Sequence, residues 1–325
     1  MRTGLFCTYE STSNDYRSAY SDQTHLIELA ERLGFDEAWI AEHHFNPRSA
    51  CSNPFAILGY LAARTSRICL GSAAILLPFH NPIMVAEGAA TVDILSGGRF
   101  NLGVAKGGPF PMQLKHFGLS SDEASARTRE AVVLVEKLLT EKRVDFDGTF
   151  HQADSVELTP QPLQQPLPIF VATSTPDMIA LAATRGYGLM AGPPFPIAHL
   201  RNTLRLYRET APNKDPRLVL TRFLHIAPTR EQAVAEARMM LQPFVERMRK
   251  TTEVLQPSWT PWMDLEPIIE GSLIGTQMDV RAKLSALQAD LNPHSLIVKP
   301  ITAQHDKQCE DLVAFAELSK TSLAA

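Results

Sequence analysis

The chain has 325 residues, 45% of them apolar and 20% charged, with a formal net charge of −4. This is ordinary globular composition, and the absence of long Lys/Arg runs excludes the broad basic face that nucleic acid or an anionic membrane surface needs. No apolar run approaches the ~18 residues of a membrane span, the first fifteen residues hold no secretory core, and the four cysteines (Cys7, Cys51, Cys69, Cys309) show no CxxC spacing, so a reduced, cytoplasmic protein is expected.

Short apolar runs alternate with longer amphipathic stretches, a pattern that predicts parallel strands with helical crossovers. Thr3–Thr8 reads as the first strand. A helix follows over Ser21–Leu33, with Ser21 as its N-cap and Gly34 past its end. Asp36–Ala41 is the second strand, and Asn53–Arg64 a helix with Pro54 in its first turn. Arg67–Leu77 is the most strand-like run of all; Pro82–Leu95 is helical and stops at Ser96-Gly97-Gly98. Arg99–Ala105 is the fourth strand and Asp122–Leu139 a long helix.

From Val144 to Pro168 the pattern breaks into DFDGTFH and PQPLQQPLP, which reads as an extended, irregular insertion because proline fixes φ and removes a donor. Ile169–Thr173 is the fifth strand, Pro176–Arg185 a helix, Tyr187–Ala191 the sixth strand and Ile197–Thr210 a helix. Arg217–Ala227 is the seventh strand and Arg230–Lys250 its helix. Thr251–Ser272, with Trp259, Trp262 and three prolines, reads as a second insertion. Gln277–Asp290 is helical, Ser295–Lys299 the eighth strand and Gln304–Ser319 the last helix. The order predicts a (β/α)₈ TIM barrel, a single domain over 1–325, with insertions after the fourth helix and before the eighth; a doubly wound open sheet is the other architecture this order allows.

A barrel of this kind carries its chemistry at the C-terminal ends of the strands. Those ends hold Glu42-His43-His44-Phe45, Pro78-Phe79-His80-Asn81, Lys106-Gly107-Gly108 and Thr173-Ser174-Thr175-Pro176. Side chains alternate along a strand end, so only one of His43 and His44 points into the barrel mouth. An imidazole there serves as general acid or base, or ligates a metal. The other strand ends offer Lys, Ser and Thr, which suit phosphate, so no metal is expected. Hydroxyls at a helix start form an anion site, although an ordinary N-cap needs only one of them. Gly107 lets a ligand approach the backbone and Lys106 supplies a point charge. Together these segments point to a phosphate-bearing cofactor.

The residues from Gly34 to Gly118 resemble the α subunit of bacterial luciferase and its flavin-dependent monooxygenase relatives. The resemblance is carried by Gly34-Phe35-Asp36, Trp39 to Phe45, Asn53-Pro54, Leu70 to Pro78, Asn81-Pro82, Asp93, Ser96 to Phe100, Gly103, Gly107 and Phe117-Gly118. It implies the barrel fold, reduced FMN (FMNH₂) as cofactor and activation of O₂. It implies an acid/base role for His43, with His44 structural, and places Glu42 beside the flavin ring. It implies a phosphate contact for Lys106, where the luciferase has Arg, and a second from Arg127 or Arg129. Thr173, Ser174 and Thr175 resemble the hydroxyl contacts, and Ala73-Ala74 matches a non-prolyl cis peptide. Ala105 stands where the luciferase has a reactive Cys, so thiol chemistry is not expected.

Reduced flavin is expected from a separate NAD(P)H:flavin reductase, because no GxGxxG follows a strand. The resemblance also implies a homodimer. The substrate is expected to be a small, mainly apolar organic molecule, its outline set by the loops around Phe79, Phe195 and Trp259. Trp259 and Trp262 either cover that substrate or pack an inert insertion. The alternatives are an F420-dependent dehydrogenase of the same superfamily and a non-catalytic flavin-binding protein.

Overall fold

Residues 1–11 and 13–322 are described by a computed structural model. The elements run β1 (Arg2–Cys7), α1 (Tyr16–Leu33), β2 (Glu37–Ile40), α2 (Pro54–Arg64), β3 (Cys69–Ser72), β4 (Ile75–Leu76), α3 (Pro82–Ser96), β5 (Phe100–Ala105), α4 (Pro111–Phe117) and α5 (Ser121–Thr140). They continue as β6 (Val144–Asp147), β7 (Gln152–Val156), β8 (Ile169–Ala172), α6 (Pro176–Arg185), β9 (Gly188–Ala191), α7 (Ile197–Thr210), β10 (Leu218–Ile226), α8 (Arg230–Leu255), α9 (Leu265–Glu270), β11 (Leu273–Gly275), α10 (Gln277–Leu291), β12 (Ser295–Pro300) and α11 (His305–Ser322).

Strands β1, β2, β3, β5, β8, β9, β10 and β12 pair in parallel in that order, and β12 returns to β1, closing an eight-stranded barrel. Every residue of β2, β9 and β10 is buried, as expected of strands covered on both faces. Alternate side chains fill the interior: Trp39, Phe170, Met190, Val219 and Ile297 form one cluster, with Trp39 edge-on to Phe170 at 5.4 Å. The outward set packs under a ring of helices whose neighbours are tied by ion pairs, such as Arg64–Glu28 between α2 and α1 and Arg201–Asp290 between α7 and α10. No helix among the described residues is long and apolar enough to cross a membrane.

Four expectations are corrected by the structure. Helix α1 begins at Tyr16 and not at Ser21, because the Asp15 carboxylate accepts from Ser18 N at 3.1 Å and caps it earlier. The third strand is interrupted: β3 and β4 both pair with β5, and the peptide between Ala73 and Ala74 is cis, as the resemblance implies. The first insertion contains an antiparallel hairpin, β6–β7, anchored where Glu130 accepts from Thr149 N, Phe150 N and His151 N. The fourth and largest difference in extent concerns the second insertion, which spans all of 230–275. Helix α8 packs with α9 and β11 in a separate apolar cluster (Ala233, Ala237, Leu241, Val245, Ile268, Ile269, Ile274). It is α10, with Val280, Leu284, Leu287 and Leu291 in the main core, that completes the ring. The periodicity of 230–250 is that of an amphipathic helix, but periodicity does not say which core receives the face.

Candidate functional site

The C-terminal ends of the barrel strands surround a cavity of about 280 Å³. Glu42, His43, Ala73, Ala74, Lys106, Gly107, Thr173, Ser174 and Thr175 all line it. The sheet register brings these distant segments to one rim, since β2, β3, β5 and β8 are consecutive in the barrel. Arg127 is the exception and a correction. It pairs with Glu123 at 2.9 Å and lies over the Phe150 ring, facing the hairpin. Arg129 is the arginine that lines the cavity. Helical spacing explains this: Ser121, Ser125, Thr128 and Arg129 share one face of α5, and all four line the cavity.

On the β2–β3 flank, the buried Glu42 carboxylate is fully engaged. Its Oε1 accepts from His44 Nε2 and from His80 Nε2, both at 2.7 Å, and its Oε2 from Leu76 N at 3.0 Å. Burial alone would push its pKa up, yet these hydrogen bonds hold it below the usual carboxylate value. Glu42 therefore organises the rim and keeps little capacity for a ligand. His44 faces Glu42 and the Phe79 and Phe117 rings, so the imidazole left to the cavity is His43, half-buried and edge-on to Phe110 at 5.5 Å. Burial first, then the Lys299 ammonium, lowers its pKa to about 4 against the opposing pull of Glu10 and Glu42. It is neutral at pH 7, with one nitrogen to donate and one to accept.

The β5–β8 flank is different in kind. Lys106 Nζ donates to Ser121 Oγ at 3.2 Å, and burial lowers its pKa. Thr175 is the N-cap residue of α6 but makes no side-chain capping bond, with Pro176 in the first turn. Thr173 Oγ1 instead accepts from Thr175 N at 3.2 Å. Arg129 pairs with Asp177 in the first turn of α6. Two cations, several hydroxyls and a helix start thus converge on one corner, the donor set that suits a phosphate dianion. Between that corner and His43 the walls are small and apolar: Ala73, Ala74, Ala105, Val171 and Ala172. Such a slot accepts a planar ring. Gly107 adopts φ +101°, a conformation that a side chain rarely tolerates.

The second insertion supplies the roof through Leu255, Gln256 and Trp259. Trp259 Nε1 donates to Ser174 Oγ at 3.0 Å, and its ring contacts Phe195 and stacks on Trp262. Of the two tryptophans only Trp259 reaches the cavity; Trp262 packs behind it on His199. Several contributors were not anticipated: Ser121, Ser125, His80 as a Glu42 partner, and Arg222. The Arg222 side chain, buried in β10, donates to the carbonyls of Gly192, Pro193 and Phe195, and so fixes the loop that carries Phe195 into the cavity. Burial lowers its pKa to about 10, which still leaves it charged. The α5 residues had a usable signal in their helical spacing; Arg222 had only its place in a largely apolar strand.

A family profile described as luciferase-like monooxygenase matches residues 1–291. The oxygenase component of a flavin-dependent trigonelline monooxygenase from Acinetobacter baylyi is 29% identical over 74% of this chain and 69% of its own length. An F420-dependent glucose-6-phosphate dehydrogenase from Intrasporangium calvum is 34% identical over 50% of each. Against the first curated relatives the chain spans roughly half to two thirds of their length. Among solved structures, a monooxygenase from Streptomyces bottropensis superposes with a TM-score of 0.84, at 26% identity and 99% coverage of both chains.

Proposed function

Because the chain belongs to the luciferase-like monooxygenase family, we propose that it is a flavin-dependent monooxygenase using reduced FMN and O₂ to oxidise a small, mainly apolar organic substrate. The observation that carries this reading is one cavity joining a phosphate-type corner (Lys106, Ser121, Arg129, Thr173, Ser174, Thr175) to a narrow alanine-walled slot that ends at His43. Bound there, reduced flavin would supply the electrons for O₂ activation. Lys106 and Arg129 would neutralise its phosphate, and the hydroxyls and the α6 start would orient it. Ala73, Ala74, Ala105 and Val171 would flank the ring. His43, neutral and shielded, would hold or accept a proton at the reacting edge. Phe79, Phe195 and Trp259 would exclude water from the substrate side.

The similarity to an oxygenase component supports supply of reduced flavin by a separate NAD(P)H:flavin reductase. We further infer a cytoplasmic homodimer in which residues 1–325 act as one barrel unit. A second reading, F420-dependent hydride transfer, is favoured by the similarity to the F420-dependent dehydrogenase, since the same corner could take that cofactor's phosphate. Anaerobic titration with FMNH₂ and with reduced F420 separates the two: the proposal expects FMNH₂ to bind the more tightly. Oxygen consumption with FMNH₂ and its loss in His43→Ala then test the catalytic assignment. Preference for reduced F420, or oxygen uptake untouched by the substitution, would overturn it.

A further inference from the structure

We propose that the first and last helices of the barrel share a zinc site built from His25, His305 and Cys309. Helix α1 packs against α11. His305 and Cys309 stand one helical turn apart on α11, so both side chains emerge on one face, and His25 meets them from α1. His25 Nδ1 lies 2.8 Å from His305 Nε2, Cys309 Sγ lies 3.7 Å from that same nitrogen, and all three atoms fall within 4.8 Å of one another. Two imidazoles and a thiolate are a donor set for Zn²⁺, which takes N and S ligands in tetrahedral array. The three protein ligands leave the fourth tetrahedral position to a water.

The other His/carboxylate cluster, Glu42 with His44 and His80, differs in one respect that decides between them. Its carboxylate is already saturated by two imidazole donors and a backbone N–H. The α1–α11 cluster has one shared proton between two imidazoles and a thiol with a single 3.7 Å contact. On binding, each imidazole keeps one proton on the nitrogen turned away from the metal, and the thiol gives up its own. One proton is therefore released per ion, and affinity rises with pH. The metal would join elements at opposite ends of the chain and stabilise the closed barrel by mass action.

The test uses the full chain after chelator treatment. Added Zn²⁺ should raise the melting temperature. Co²⁺ as a probe should bind one per chain and give visible bands of a tetrahedral ion with a near-ultraviolet thiolate band. Cys309→Ser should abolish the thiolate band, and His305→Ala or His25→Ala should weaken binding, all with flavin affinity unchanged. Cys309→Ser is nearly isosteric at a half-buried position and keeps the test valid if a histidine variant misfolds. Absence of both bands and thermal shift in the wild type overturns the proposal, as does a thiolate band that survives in Cys309→Ser.

Discussion

The two flanks of the cavity are built on opposite principles. On the β2–β3 side, Glu42, His44, His80 and Leu76 N satisfy one another. On the β5–β8 side, Lys106 has one hydroxyl partner, Arg129 one exposed carboxylate, and the start of α6 no side-chain cap. A network that closes on itself positions its neighbours; a set of donors with weak or exposed partners awaits an acceptor from outside. The difference assigns work to each side. The first flank holds His43 and the Ala73–Ala74 segment in place, and the second binds the anion.

Substitutions on the two flanks should therefore separate stability from affinity. The largest effect is expected for Glu42→Ala, which strands a backbone N–H and two imidazole donors. Loss of about 3 kcal/mol is expected, since unmet buried donors cost about 1–3 kcal/mol each and water can reach the half-buried histidines. Urea midpoints check this; a midpoint near that of the wild type would mean that the network contributes nothing. The opposite pattern is expected for Lys106→Met with Arg129→Met. Lys106 has only a hydroxyl partner and the carboxylate that pairs with Arg129 is exposed, so stability should stay within about 0.5 kcal/mol. FMN affinity should fall on the order of a hundredfold, two charge-assisted contacts at about 1.5 kcal/mol each. Riboflavin, lacking the phosphate, is the control, and an equal loss for riboflavin would remove the phosphate assignment.

Trp259 bridges the halves, because its indole N–H reaches Ser174 on the anion flank while its ring roofs the cavity. A serine that accepts from Trp259 keeps its own proton for a phosphate oxygen, so anion binding and closure of the insertion reinforce each other. Trp259→Phe keeps the ring and deletes the donor. Loss of one neutral hydrogen bond, about 1 kcal/mol, predicts roughly fivefold weaker FMN binding. Trypsin sensitivity of the 230–275 segment should then respond less to added FMN than it does in the wild type.

How much of this was legible in the sequence depended on the range of the signal. Strand ends are local, and the apolar runs ending at Ala41, Ala105 and Thr173 already placed their polar successors on one rim once a barrel was inferred. Helical spacing is also local, and applied to α5 it separates Arg129 from Arg127 through Ser121 and Ser125. The receiving core of α8 is not local: its apolar face suits any neighbour, and only the packing of Ile268, Ile269 and Ile274 against it identifies a second core. Arg222 was hidden for the same reason, since its partners are carbonyls roughly thirty residues away with no side-chain pattern of their own. The Glu42 triad fell between these cases. Its members were visible at two strand ends, but their saturation of one another follows from the β2–β3 register.

The smallest effect, and the one that tests the boundary between the flanks, concerns the charge state of His43. Its lowered pKa of about 4 comes first from burial and second from Lys299. Lys299 also donates to Glu10 at 2.8 Å, and that carboxylate pulls His43 the other way. Lys299→Met should therefore raise the His43 pKa, but not to the ordinary value of about 6.5, because burial remains. Part of the gain is offset as Glu10, relieved of its ammonium, becomes easier to protonate. Histidine NMR titration would measure the shift, and an unchanged or lower value would show that Lys299 does not act on His43. The sign for folding follows. Between about 6.5 and 4 an unfolded chain binds a proton at this residue that the folded chain refuses, so acidification through that window lowers stability and the loss levels off below 4. Lys299→Met narrows the window from its lower end. If catalysis uses the neutral imidazole, the acid limb of the turnover profile should move with the NMR value, and a limb that stays fixed would assign it to another group.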